Sequence, residues 1–100
     1  MPKSLADLTA DMQRFVEAKG WLAPDSPRPQ TVRNLAVSLS IEAAELLEHV
    51  QWRERPEDGE EWGAELADIL LYLLQLASLS GVDLEKAVAG KLQHNYRRTW

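Results

Sequence analysis

Two short runs constrain this chain more than any other part of it. Ser40 to Glu48 reads SIEAAELLE, and Glu65 to Leu76 reads ELADILLYLLQL. Each sets two acids three residues apart, Glu42 with Glu45 and Glu65 with Asp68, inside an otherwise aliphatic stretch. Residues at that spacing share one face of an α-helix. Antiparallel packing of two such helices through those faces gathers four carboxylates into one small volume. Their repulsion then raises some of the pKa values unless a cation intervenes.

A single E-x-x-E spacing is common by chance and says little. Two of them on apolar helices say more, because Asp and Glu are almost never fully buried without a partner. No Lys or Arg lies between Ile41 and His49, and Lys86 is the one between Gly63 and Ala89. The missing counter-charge points to a divalent ion, and oxygen-only ligation suits a hard one such as Mg²⁺ or Mn²⁺. A di-iron carboxylate bundle also draws acids from facing helices, but it needs Glu-x-x-His on two of them. Here His49 follows Glu45 by four, and His94 has no acid three before it. His49 therefore reads as a polar residue near a helix end and His94 as a surface or rim residue.

The flanking sequence predicts four helices and no strands. Ser4 and Asp7 suit an N-cap and its third helical position, and Leu5, Leu8, Met12, Phe15 and Val16 recur at helical spacing. A first helix over Leu5 to Lys19 follows, with Gly20 as a left-handed stop. Prolines at positions 24, 27 and 29 make Trp21 to Gln30 a loop. Thr31 caps a second helix whose stripe of Leu35, Leu39, Ala43, Leu46, Leu47 and Val50 carries it to about Arg53. The run RPEDG turns the chain into a third helix over about Glu60 to Ser80. The second half of that helix is apolar nearly all round, which predicts an interface beyond the chain's own helices. Gly81 stops it, and Asp83 caps a fourth helix running toward Tyr96.

Composition narrows the partners. One hundred residues make one domain, 1–100, and a domain of that size buries only about 65% of its unfolded surface. A net charge of −5 argues against binding a nucleic-acid polymer, which clustered Lys and Arg drive. With no cysteine there is no thiolate ligand and no Cys nucleophile, a composition compatible with a reducing cytoplasm. The early acids of MPKSLADLTADM do not read as a signal peptide, and the most apolar run, Ile69 to Leu74, is far short of the roughly 20 residues of a bilayer helix. These features predict a cytoplasmic protein with no membrane span.

E-x-x-E on one helix and E-x-x-D on the next, in an all-α chain of this length, resembles the MazG-like nucleoside triphosphate pyrophosphohydrolases. The likeness extends over RNLAVSLSIEAAELLEHVQW, ELADILLYLLQLA and VDLEKAV, with Lys91, Asn95 and Arg98 following. It covers roughly Trp21 to Arg98 and is nearest the small dCTP pyrophosphatase-like branch.

The resemblance implies an all-α, four-helix bundle completed by oligomerisation, as a homotetramer built from a dimer of dimers or as a dimer. It implies Mg²⁺, with Mn²⁺ as the alternative, held by Glu42, Glu45, Glu65 and Asp68. The reaction implied is hydrolysis of a nucleoside triphosphate, dCTP or a modified dCTP, between its α and β phosphates. Glu45 is the expected residue for activating water. Lys91 and Arg98, with Arg33, are expected to meet the outer phosphates, and Lys91, Asn95 and Arg98 share one helical face. Trp21 and Trp52 are expected to flank the base and Tyr72 to contact the sugar, leaving Trp62 and Trp100 structural. Two rivals remain at the level of sequence: a non-catalytic helical interaction module, and a hydrolase that removes phosphates singly.

Overall fold

The computed structural model describes residues 2–100 and places four helices in them: α1 Leu5–Ala18, α2 Val32–Glu48, α3 Gly59–Leu79 and α4 Leu84–Arg97. No strand occurs among the described residues. Each start is capped by a side chain that accepts otherwise unpaired amides. The Asp7 amide donates to Ser4 Oγ at 3.1 Å while the Ser4 amide donates to the Asp7 carboxylate at 3.0 Å, a reciprocal capping box. Thr31, Asp58 and Asp83 cap the other three. Gly20 and Gly81 take φ of 71° and 69°, and in both places the glycine amide and the one after it donate back to helix carbonyls in a Schellman closure.

One boundary differs from the sequence expectation. Helix α2 ends at Glu48, five residues before Arg53. The amides of His49, Val50 and Gln51 donate to carbonyls three residues back, at 3.2, 3.0 and 3.5 Å. The backbone thus tightens into successive turns toward the RPEDG segment. The other boundaries fall within two residues of those expected.

Helix α3 is central, packed against α2 along one side and α1 along another. Met12, Val16 and Leu74 form the buried cluster, with Leu5, Leu8, Trp21, Leu70 and Leu84 packed around it. Helix α3 is also long and apolar enough, by length and composition, to cross a membrane, which the sequence reading did not anticipate. It packs against α1 and α2 and carries Glu65, Asp68 and Gln75, while only 11% of its apolar stretch is buried.

Helix α4 makes only marginal contact with the rest and has no buried residue. The accessible surface is 8034 Å², against about 5,700 Å² expected for a monomer of this mass. Much of the excess is apolar: Val37, Ile41 and Leu47 on α2, Leu66, Leu71 and Leu73 on α3, Val88 and Leu92 on α4. The stripe expected to close α2 is exposed at Leu47, and Phe15 of α1 is half-exposed, edge-on to Trp21.

Candidate functional site

The α2–α3 hairpin brings Glu42, Glu45 and Glu65 together, with one carboxylate oxygen from each lying within 4.8 Å of the others. All three are half-buried. No protein donor reaches Glu42 Oε2 or Glu65 Oε2, although both atoms are shielded from solvent. The pKa of Glu42 is raised from its ordinary 4.5 to about 7. The main cause is the facing Glu65 carboxyl, which can accept a hydrogen bond from Glu42 only when Glu42 is protonated, followed by burial and then the charges of Glu45 and Glu65. Orphaned carboxylate oxygens with no Lys or Arg paired to them are a donor set that a hard divalent cation fits.

Asp68 does not join this group. It lies one turn further along α3, exposed, beside a groove shared with Leu8, Met12, Phe15, Trp21, Leu71 and Tyr72. A three-residue step rotates the helix by about 300°, so Asp68 shares the general face of Glu65 but leans toward α1. Tertiary packing of α1 on α3, which residue spacing does not report, supplies that neighbourhood.

Between the proline-bearing loop, the first half of α2 and Tyr72 of α3 lies a cleft of about 440 Å³ lined by Trp21, Arg28, Gln30, Asn34, Ser38 and Tyr72, among others. Trp21 and Tyr72 thus share a wall. The loop supplying much of the rim is pinned: the Gln75 side-chain Nε2 donates to Gln30 Oε1 at 2.6 Å, and the Asn34 side-chain Nδ2 donates to the Pro29 carbonyl at 2.9 Å. The Arg28 guanidinium sits 5.9 Å from the Trp21 ring centroid. No helical spacing singles out Arg28, Gln30 and Asn34; the prolines at 27 and 29 are the signal in the sequence that this loop is stiff enough to hold them.

Several expected residues stand elsewhere. Trp52 lies in the loop after α2, 86% exposed, away from Trp21 and the cavity. Arg33 is exposed on the first turn of α2 and does not line the cavity. Lys91 is exposed on α4 and Arg98 at its extended C-cap, where the guanidinium stacks 3.7 Å from the Trp100 ring centroid. Asn95 is half-buried with Oδ1 shielded and unpaired. Helix α4 hardly contacts the other helices, and none of Lys91, Asn95 and Arg98 forms a hydrogen bond or ion pair with the three glutamates among the described residues.

An α-helical hairpin with three converging carboxylates and a cleft defines an all-α protein built around an acidic site. The chain belongs to the MazG-like family, whose sequence profile matches residues 37–99. It is 35% identical to bovine (Bos taurus) dCTP pyrophosphatase 1 over 95% of its own length and 59% of that protein's. It is 34% identical to the human (Homo sapiens) protein of the same name, over 95% and 58%. The chain thus spans under two thirds of the length of these relatives. It is also 33% identical to a dATP/dGTP diphosphohydrolase of Cyanophage S-2L, over 100% of this chain and 81% of that one. A crystal structure of a pyrophosphatase from Archaeoglobus fulgidus DSM 4304 superposes with a TM-score of 0.76 at 36% identity, covering 97% of this chain and 93% of that one.

Proposed function

We propose that this protein hydrolyses nucleoside triphosphates between the α and β phosphates, releasing the monophosphate and pyrophosphate. The observation that carries this is the convergence of Glu42, Glu45 and Glu65 with two shielded oxygens unpaired. Their relatives' names, which specify dCTP in one branch and dATP and dGTP in another, support a deoxynucleoside triphosphate. We favour dCTP or a base-modified dCTP as substrate, in the service of nucleotide-pool sanitation in the cytoplasm.

The acids would hold Mg²⁺, or Mn²⁺ in its place, with Asp68 turning in as the fourth ligand. When bound, such an ion neutralises phosphate charge and lowers the pKa of a coordinated water. The chain's own part is positional. Ser38 lines the cavity one turn before Glu42, and Tyr72 lines it one turn after Asp68. Cleft and acids therefore follow one another along the same antiparallel pair, about 6 Å apart between Ser38 and Glu42 on α2 and about 10 Å between Glu65 and Tyr72 on α3. A nucleoside against Trp21 and Tyr72 directs its phosphates at the glutamates. Glu45 is our choice for orienting the attacking water.

The excess surface and the marginal seat of α4 support an oligomer, which we take to be a dimer of dimers. In that assembly Trp52, Arg33, Lys91, Asn95 and Arg98 would complete sites from across subunit boundaries. The test is incubation of purified protein with a panel of dNTPs and NTPs, with Mg²⁺ or with EDTA. Pyrophosphate and monophosphate, released only with the metal, support the reading. Orthophosphate with a diphosphate would mark a hydrolase that removes phosphates singly. No release from any triphosphate would favour a non-catalytic interaction module.

A further inference from the structure

His49 belongs to none of the groups given a role above, yet it is the only nitrogen base that faces the acidic cluster in an ion pair among the described residues. Its Nε2 lies 4.0 Å from Glu65 Oε1, with side-chain exposures of 20% and 16%. The imidazole is held from two directions. As the C-cap of α2, His49 has a fixed backbone, and its amide donates to the Leu46 and Leu47 carbonyls. From α3, the Trp62 ring meets it edge-to-face, with centroids 5.9 Å apart and planes at 85°. Trp62 and Glu65 are one helical turn apart, so a single segment of α3 both buttresses the imidazole and presents the carboxylate.

We propose that His49 is a positioning residue that fixes the orientation of the Glu65 carboxylate through Oε1, leaving Oε2 toward Glu42 and the cation. This rests on the metal-site reading given above. His49 is not itself one of the converging ligands, since neither ring nitrogen joins the set of donor atoms within 4.8 Å of one another. A separation of 4.0 Å exceeds a direct hydrogen bond, so the contact closes by a small side-chain rotation or through one water. Water reaches the gap: Glu45, Glu48, His49 and Glu65 line a shallow cleft of about 360 Å³ that is open to solvent. Groups hydrogen-bonded to a metal-bound carboxylate set its rotamer, and their loss typically weakens metal affinity by about 10- to 100-fold.

The test measures Mn²⁺ binding to EDTA-stripped protein by electron paramagnetic resonance of the free ion, without substrate. Four proteins are compared: the parent, Glu42→Gln, His49→Leu and His49→Gln. Leu fills the space against Trp62 and donates nothing, whereas the Gln side chain restores an N–H near the same oxygen. The expected result is parent affinity lowered about tenfold in His49→Leu and largely recovered in His49→Gln, with melting temperatures of the two variants alike. Parent-like affinity in His49→Leu, or equal weakening in both His49 variants, overturns the positioning role. In either case a large loss in Glu42→Gln leaves the metal site standing. If the parent fails to bind Mn²⁺, or Glu42→Gln binds as the parent does, the metal-site reading falls and takes this inference with it.

Discussion

The side-chain amide of Gln75, almost fully buried on α3, donates to Oε1 of Gln30 across 45 residues of sequence at 2.6 Å. This bond ties the proline-bearing loop to the helix that carries Glu65, and so fixes the cleft relative to the acids. Replacing Gln75 by Leu removes the donor while keeping the volume. We expect a loss of about 1 kcal/mol in denaturant unfolding, together with a raised KM and little change in kcat for the preferred triphosphate.

Removing acids should separate stability from activity. Glu42→Gln relieves carboxylate repulsion, so the metal-free protein should melt no lower than the parent at pH 8. Hydrolysis should nonetheless fall about 10²-fold or more in Glu42→Gln, Glu45→Gln and Glu65→Gln alike. Parallel melting curves and pyrophosphate assays check this, and a variant that keeps parent activity would remove that residue from the site.

The stability of the metal-free chain should depend on pH through Glu42. Its folded pKa of about 7 lies above the ordinary 4.5, so the folded state holds the proton more tightly than the unfolded one. That contribution is fully present below about pH 4.5 and is lost as pH rises through 7. The melting temperature in EDTA should therefore drop between pH 5.5 and 8, less so in Glu42→Gln. Added Mg²⁺ should stabilise more at pH 8 than at pH 6, because it takes only the ionised carboxylates.

Leu74, 2% exposed, joins α3 to Met12 and Val16 of α1. Leu74→Ala should cost about 2–5 kcal/mol, a large share of the roughly 5–15 kcal/mol available to a small domain. Urea titration followed by circular dichroism measures it, and a cost under about 1 kcal/mol would show that α1 is held mainly by other contacts.

Helix periodicity, the caps at Ser4, Thr31 and Asp83 and the stops at Gly20 and Gly81 are local properties, so they are legible in the chain itself. That Glu42 and Glu45 share one face of α2, amid apolar flanks, is legible for the same reason. What surrounds them is not local. The lean of Asp68 toward α1, the shared wall of Trp21 and Tyr72, the Gln75–Gln30 tie and the approach of His49 to Glu65 each depend on how α1, α2 and α3 pack. Helical spacing reports the face on which a side chain stands. Only the crossing of one helix over another, chosen by the fit of bulky side chains, decides what stands opposite it.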